Sequence, residues 1–170
     1  MLLTKQQKYL LAVLEKLGCA ELRQIAALLQ KAFAFSAFDD AMRVTNACVQ
    51  QMRSGGLLQI SEDGIVYVYD YVNKEMLNAI AVMLELSAAQ PENFCAVDRH
   101  ILLRFSLGEP GFKQFAIVSG SDPPPEREIR QDEKIIVLLP KGAKSELSYT
   151  RPVILAIRQE NGTHRFFARK

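Results

Sequence analysis

The stretch from Ser36 to Tyr71 constrains this chain more than any other, because it joins a helical period, a pair of glycines and an alternating run within 36 residues. Val44, Cys48, Val49 and Met52 recur at helical spacing and predict a side that faces a core. Arg43, Asn46, Gln50 and Arg53 then share another side, which can hydrogen-bond. Gly55 and Gly56 are placed to supply the left-handed conformation that ends helices. Leu57-Leu58-Gln59-Ile60 and Ile65-Val66-Tyr67-Val68-Tyr69 read as two strands around a Ser61-Glu62-Asp63-Gly64 turn.

Two shorter helices are predicted before this unit. Thr4 and Gln7 fit a capping box, so a helix should start at Lys5, bury Tyr9, Leu10, Val13, Leu14 and Leu17, and end at Gly18. Ala20 to Leu29 places Leu22, Ile25, Ala26 and Leu29 on one side. Phe33, Phe35 and Phe38 are expected to anchor the connection, and Ser36, Asp39 or Asp40 to cap the third helix. The run Met52-Arg53-Ser54-Gly55-Gly56-Leu57-Leu58, with two short helices before it and an Asp-Gly hairpin after it, resembles the junction of recognition helix and wing in winged-helix proteins. Tyr67, Tyr69 and Tyr71 should share one face of the last strand, covering the adjacent helix or offering a stacking surface.

Asn73 is the expected cap of a fourth helix whose apolar side holds Met76, Leu77, Ile80, Met83 and Leu84. This helix, over residues 74–87, either packs on its own domain or forms a homodimer contact. Residues 88–93 have linker character, after which the pattern turns to short strands: 101–105, 112–118, 134–139, 152–157 and 164–168, with a turn of helix within 126–131. The fold class is therefore α+β: an N-terminal winged helix-turn-helix over residues 1–72, a bridging helix and linker over 73–90, and a small mixed α+β domain of about five strands over 91–170.

Charge and chemistry narrow the function. The net charge is +2, but its distribution is uneven: residues 1–72 carry seven Lys/Arg against seven Asp/Glu, residues 73–140 seven against ten, and residues 141–170 seven against two. A protein that neutralises phosphates needs a basic face, and only the last segment has an excess, in Lys141, Lys144, Arg151, Arg158, Arg165, Arg169 and Lys170. Arg43, Asn46, Gln50 and Arg53 are residue types that read guanine and adenine edges, although the same face also reads as a solvated side or a protein contact. Asp39, Asp40, Glu62 and Asp63 would repel phosphates.

Cys19, Cys48 and Cys95 have neither disulfide-framework nor zinc spacing and are expected in the core. A metal-dependent nuclease needs carboxylates on adjacent central strands, and Phe115-Ala116-Ile117-Val118 and Ile136-Val137-Leu138-Leu139 supply none. His100 and His164 have no neighbouring nucleophile motif and read as structural. No enzyme activity, metal or cofactor is expected. No run approaches the roughly 18 apolar residues that span a bilayer, and the first residues lack a signal peptide, so a cytoplasmic protein without membrane contact is expected.

The order winged helix, bridging helix and small α+β domain is similar to the replication-relaxation family of mobile-element proteins, with the Gly55-Gly56-Leu57-Leu58 junction as the shared motif. That resemblance implies a nuclease-like C-terminal part and action on DNA in plasmid or conjugative-element maintenance. The leading expectation is a non-enzymatic DNA-binding or regulatory protein. In it Arg43, Asn46, Gln50 and Arg53 meet the major groove of double-stranded DNA and the C-terminal cations meet phosphates. A protein-protein adaptor and a degenerate nuclease stand behind it.

Overall fold

The computed structural model describes residues 2–108, 111–143 and 146–170 and is an α+β protein. It divides into two compact units, residues 1–77 and 78–170.

In the first unit, helix α1 (Lys5–Leu17) starts at the expected capping box. Thr4 Oγ1 accepts from the Gln7 N–H at 3.2 Å, and Gln7 Oε1 accepts from the Thr4 N–H at 2.9 Å. Gly18 ends the helix at φ +79. Next comes strand β1 (Cys19–Glu21), then α2 (Leu22–Ala32) and α3 (Phe38–Ser54). Hairpin strands β2 (Gln59–Ile60) and β3 (Ile65–Tyr67) complete an antiparallel sheet of order β1-β3-β2. The core draws Leu10 and Leu14 from α1, Ile25, Leu28 and Leu29 from α2, and Val49 and Met52 from α3, all fully buried.

Several local expectations change. The second helix, expected from Ala20, starts only at Leu22: Cys19, Ala20 and Glu21 form a strand because they pair with Tyr67, Val66 and Ile65, a partner that local periodicity cannot see. Gly56 is left-handed at φ +73 but Gly55 is not, at φ −82. Helix α3 begins after Ala37, whose methyl offers no cap; Ser36 lies outside the helix and both aspartates lie in its first turn, where acids favour the positive end. Phe33 and Phe38 are half-buried, Phe33 edge-on against Tyr9 and Phe38 beneath the Arg23 guanidinium. Strand β3 ends at Tyr67, so Tyr69 and Tyr71 are not a packed stripe and stand 58% and 70% exposed.

Helix α4 (Lys74–Leu86) is capped as expected, Asn73 Oδ1 accepting from the N–H groups of Glu75 and Met76. The division between the units falls inside it, after Leu77. Of the expected apolar side, Met76, Leu77, Ile80 and Met83 are buried and Leu84 is half-buried, and Ala79 and Val82 are buried beside them.

The second unit holds a six-stranded sheet in sequential order: β4 (Glu92–Ala96), β5 (Ile101–Leu107), β6 (Lys113–Ser119), β7 (Glu133–Leu139), β8 (Val153–Arg158) and β9 (His164–Arg169). That is one strand more than expected, because β4 lies where a linker was read; with Phe94 alone buried in it, the edge strand carries almost no alternation. Cys95 is exposed there rather than in the core, unlike Cys19 and Cys48. Residues 109 and 110, between β5 and β6, lie outside the described residues. The pairs β4-β5, β5-β6 and β8-β9 are antiparallel, whereas β6-β7 and β7-β8 are parallel.

Strand β7 is buried on both faces, as its unbroken apolar run predicts. On one face Ile135, Val137 and Leu139 join Ala116, Val118 and Val153 beneath Ile129, Leu147 and Tyr149. On the other, Phe115 stacks on its cross-strand partner Phe105 with centroids 4.9 Å apart. At the end of β6, a Cβ added to Gly120 would lie 2.1 Å from the Leu138 carbonyl oxygen, so only glycine lets the chain leave the sheet there.

A parallel pair needs a long crossover, commonly a helix. Between β6 and β7 the chain forms only a one-turn 3-10 helix, Glu126–Glu128, so its backbone groups find partners further along the sequence. The Arg151 guanidinium donates to the carbonyls of Ile129, Arg130, Gln131 and Glu133. The Glu126 carboxylate accepts from the backbone N–H groups of Thr150 and Arg151, at 2.8 and 3.1 Å. Tyr149 Oη donates to the Pro124 carbonyl at 2.7 Å. Buried Glu133 also pairs with Arg104, Nε lying 2.8 Å from Oε1 but not aimed for a hydrogen bond.

Arg151→Lys keeps the charge but not the planar fork, and should lower unfolding free energy by about 1.5–3 kcal/mol in urea titrations. In the first unit, Gln24 Oε1 accepts from the Glu21 N–H and its Nε2 donates to the buried Leu77 carbonyl at 2.7 Å. Gln24→Leu strands both backbone groups and should cost about 1–3 kcal/mol in the same assay.

Candidate nucleic-acid interface

The outer side of α3 forms because one helix carries two incompatible sets of residues. Ala41, Thr45, Cys48, Val49 and Met52 are buried, and Arg43, Asn46, Gln50 and Arg53 project from the opposite side, all exposed. Their offsets of three, seven and ten residues keep the four within one sector of the helix. Ala47, also exposed, leaves that sector flat between the polar groups.

The electrostatics of the face are balanced. Arg43 Nη2 lies 2.7 Å from Asp40 Oδ1, with the arginine side chain 79% exposed. Such a surface pair is held by a few tenths of a kcal/mol, so Arg43 can exchange it for another acceptor. Asp39 is exposed in the same first turn. At the tip of the β2-β3 hairpin the Ser61 carbonyl accepts from Gly64, and Glu62 and Asp63 face solvent, with no cation on the tip.

One feature was not visible in the sequence. Between the start of α1 and the end of α3 lies a pocket of about 580 Å³, lined by Leu2, Thr4, Gln7, Gln50, Gln51, Ser54 and Gly55. Buried Gln7 fixes its floor through a 2.8 Å bond from Nε2 to Gln51 Oε1. Gln50 belongs both to this uncharged, amide-rich pocket and to the exposed face. The glutamine content of 50–51 was there to read, but the approach of Thr4 and Gln7 is tertiary.

The C-terminal cations belong to the second unit and are not alike. Lys141 is paired with Glu160, and Arg158 Nη1 donates to Asn78 Oδ1 at 2.6 Å. Arg151 is committed to the crossover carbonyls and is no phosphate contact. Lys144 lies outside the described residues. Arg165, Arg169 and Lys170 are exposed together on or beside β9.

The expected carboxylate positions of a nuclease, on β6 and β7, hold buried apolar side chains. Among the described residues no group of three or more His, Cys, Asp or Glu side chains is placed to hold a metal ion. His100 Nδ1 lies 3.0 Å from the Asp122 carbonyl oxygen, and the almost fully buried His164 places Nδ1 2.9 Å from Glu85 Oε1. No helix among the described residues is long and apolar enough to cross a membrane.

Two phenols mark how tightly each unit is closed. Burial pushes Tyr9 in α1 up to about 12 from an ordinary 10.0. Burial, reinforced by the nearby Glu126 and Glu128 charges, does the same for Tyr149. Because both folded values are raised, their contribution to stability is complete below pH 10 and is lost as pH rises toward 12. A phenolate absorbance titration should therefore show late-titrating absorbance that Tyr9→Phe and Tyr149→Phe each reduce by one phenol.

In comparisons with known proteins, no family model, no curated protein and no solved structure matches this chain.

Proposed function

We propose that the chain is a non-enzymatic DNA-binding regulatory protein whose first unit acts as a winged helix-turn-helix. The observation that carries this reading is the exposed row Arg43, Asn46, Gln50 and Arg53 on one side of a 17-residue helix. These side chains match the donor and acceptor patterns of base edges in the major groove, which is wide enough to admit a helix. The element order α1-β1-α2-α3-β2-β3 and the sheet order β1-β3-β2 support a winged helix, with the β2-β3 hairpin as its wing. In the second unit, an antiparallel β4-β5-β6 meander followed by parallel β7 is in keeping with the nuclease-like half of the replication-relaxation layout. Apolar residues where that chemistry needs carboxylates support a role without hydrolysis.

A second reading, a protein-protein adaptor, is favoured by exposed Tyr69 and Tyr71 and by the balanced charge of residues 1–72. Partners that remain bound after complete nuclease digestion of a lysate would support it over DNA binding.

Selection from a randomised duplex library, followed by anisotropy titrations, tests the proposal. The wild-type chain should enrich a motif and lose affinity steeply with salt. Arg43→Ala should relax preference at one base pair by about tenfold, the worth of a bidentate contact, whereas Lys170→Ala should weaken all sequences alike. Asp40→Asn should tighten binding about twofold by releasing Arg43. No enriched motif and a flat salt response would remove the proposal.

A further inference from the structure

Strand β9 forms an open edge of the six-stranded sheet, and its side chains divide between two faces. Arg165, Phe167 and Arg169 emerge together on one face. Phe167 is 44% exposed, and the Arg165 guanidinium carbon lies 5.6 Å from the centre of its ring. Their cross-strand neighbours on β8 are Ile157, Leu155 and Val153. The first two of these are half-buried and pack against the core cluster, so the strip has an apolar flank on its inner side. No β9 residue belongs to the cluster under Ile129, Leu147 and Tyr149. Residues 153–170 carry Arg158, Arg165, Arg169 and Lys170 against Glu160 alone.

We propose that this strip is a docking surface for single-stranded nucleic acid. An exposed ring with a stacked guanidinium and a second arginine on the same strand face supplies the two things an unpaired strand needs. Bases stack on the ring and on the planar guanidinium, and phosphates meet the flanking cations. The Cα atoms of Arg165 and Arg169 are about 13 Å apart along the strand, enough for a short run of unstacked nucleotides. A duplex hides its base faces and gains only the electrostatic part. An acidic peptide adding to the β9 edge would use its backbone and not the ring of Phe167, so the ring distinguishes the two partners. The surface lies wholly in the second unit and does not depend on the α3 reading.

The test is fluorescence anisotropy on the full chain with labelled oligothymidylate, a duplex of equal length and oligoglutamate. Oligothymidylate should bind more tightly than either of the others. Phe167→Leu, which keeps an apolar side chain opposite Leu155, should weaken oligothymidylate binding about tenfold, and Phe167→Trp should preserve it. Arg165→Gln, a surface change, should weaken binding and lower the salt slope by about one phosphate contact. Oligothymidylate binding that persists when the duplex library yields no motif, or a motif enriched without oligothymidylate binding, separates failure of duplex reading by α3 from failure here. Absence of oligothymidylate binding, equal binding by folded Phe167→Leu, or tighter binding of oligoglutamate would each overturn the proposal.

Discussion

The parallel alignment of β6 with β7 is the constraint on which the second unit depends. Antiparallel neighbours can be joined by a tight turn, but a parallel pair obliges the chain to return across the sheet with its peptide groups away from the ladder. A helix would satisfy those groups internally. Residues 120–132 contain only one 3-10 turn, so the carbonyls of Ile129, Arg130, Gln131 and Glu133 are met by the fork of Arg151, and Glu126 answers with a carboxylate for two N–H groups of the arriving segment. Hydrogen bonding from the Thr150 N–H holds the Glu126 carboxyl below its usual range, with the Arg151 N–H and charge adding to this. Ile129, Leu147 and Tyr149 then complete the layer over β6, β7 and β8.

Features set by neighbours in sequence were legible from the residues alone. The Thr4–Gln7 box, Gly18, Asn73 and the two-faced character of α3 each depend on residues within a turn or two of one another. The doubly buried β7 announced itself by an unbroken apolar run. Elements made by distant partners were not legible: β1 is a strand only because β3 lies beside it, and β4 buries Phe94 alone. Arg151 shows the same limit for the site, since a charge count registers a cation but not the carbonyls that occupy it. The α3 face was visible in full, whereas the pocket beside it needed the approach of α1.

The two candidate surfaces differ in physical kind. On α3, polar groups stand on a helix with as many acids as bases nearby, so recognition there rests on hydrogen-bond geometry with little long-range attraction. On β9 the central contact is an aromatic ring beside an arginine, which favours stacking and tolerates any base. Geometry selects in the first case; electrostatics and ring area gather in the second.

The dependence of the crossover on Arg151 orders events during synthesis. Every partner in the first unit's core is encoded within 77 residues and can consolidate as it emerges from the ribosome. The β6-β7 pair cannot be completed that way, because the groups that clasp its return path are translated after both strands. Until they emerge, two strongly apolar strands carry an unanchored connection.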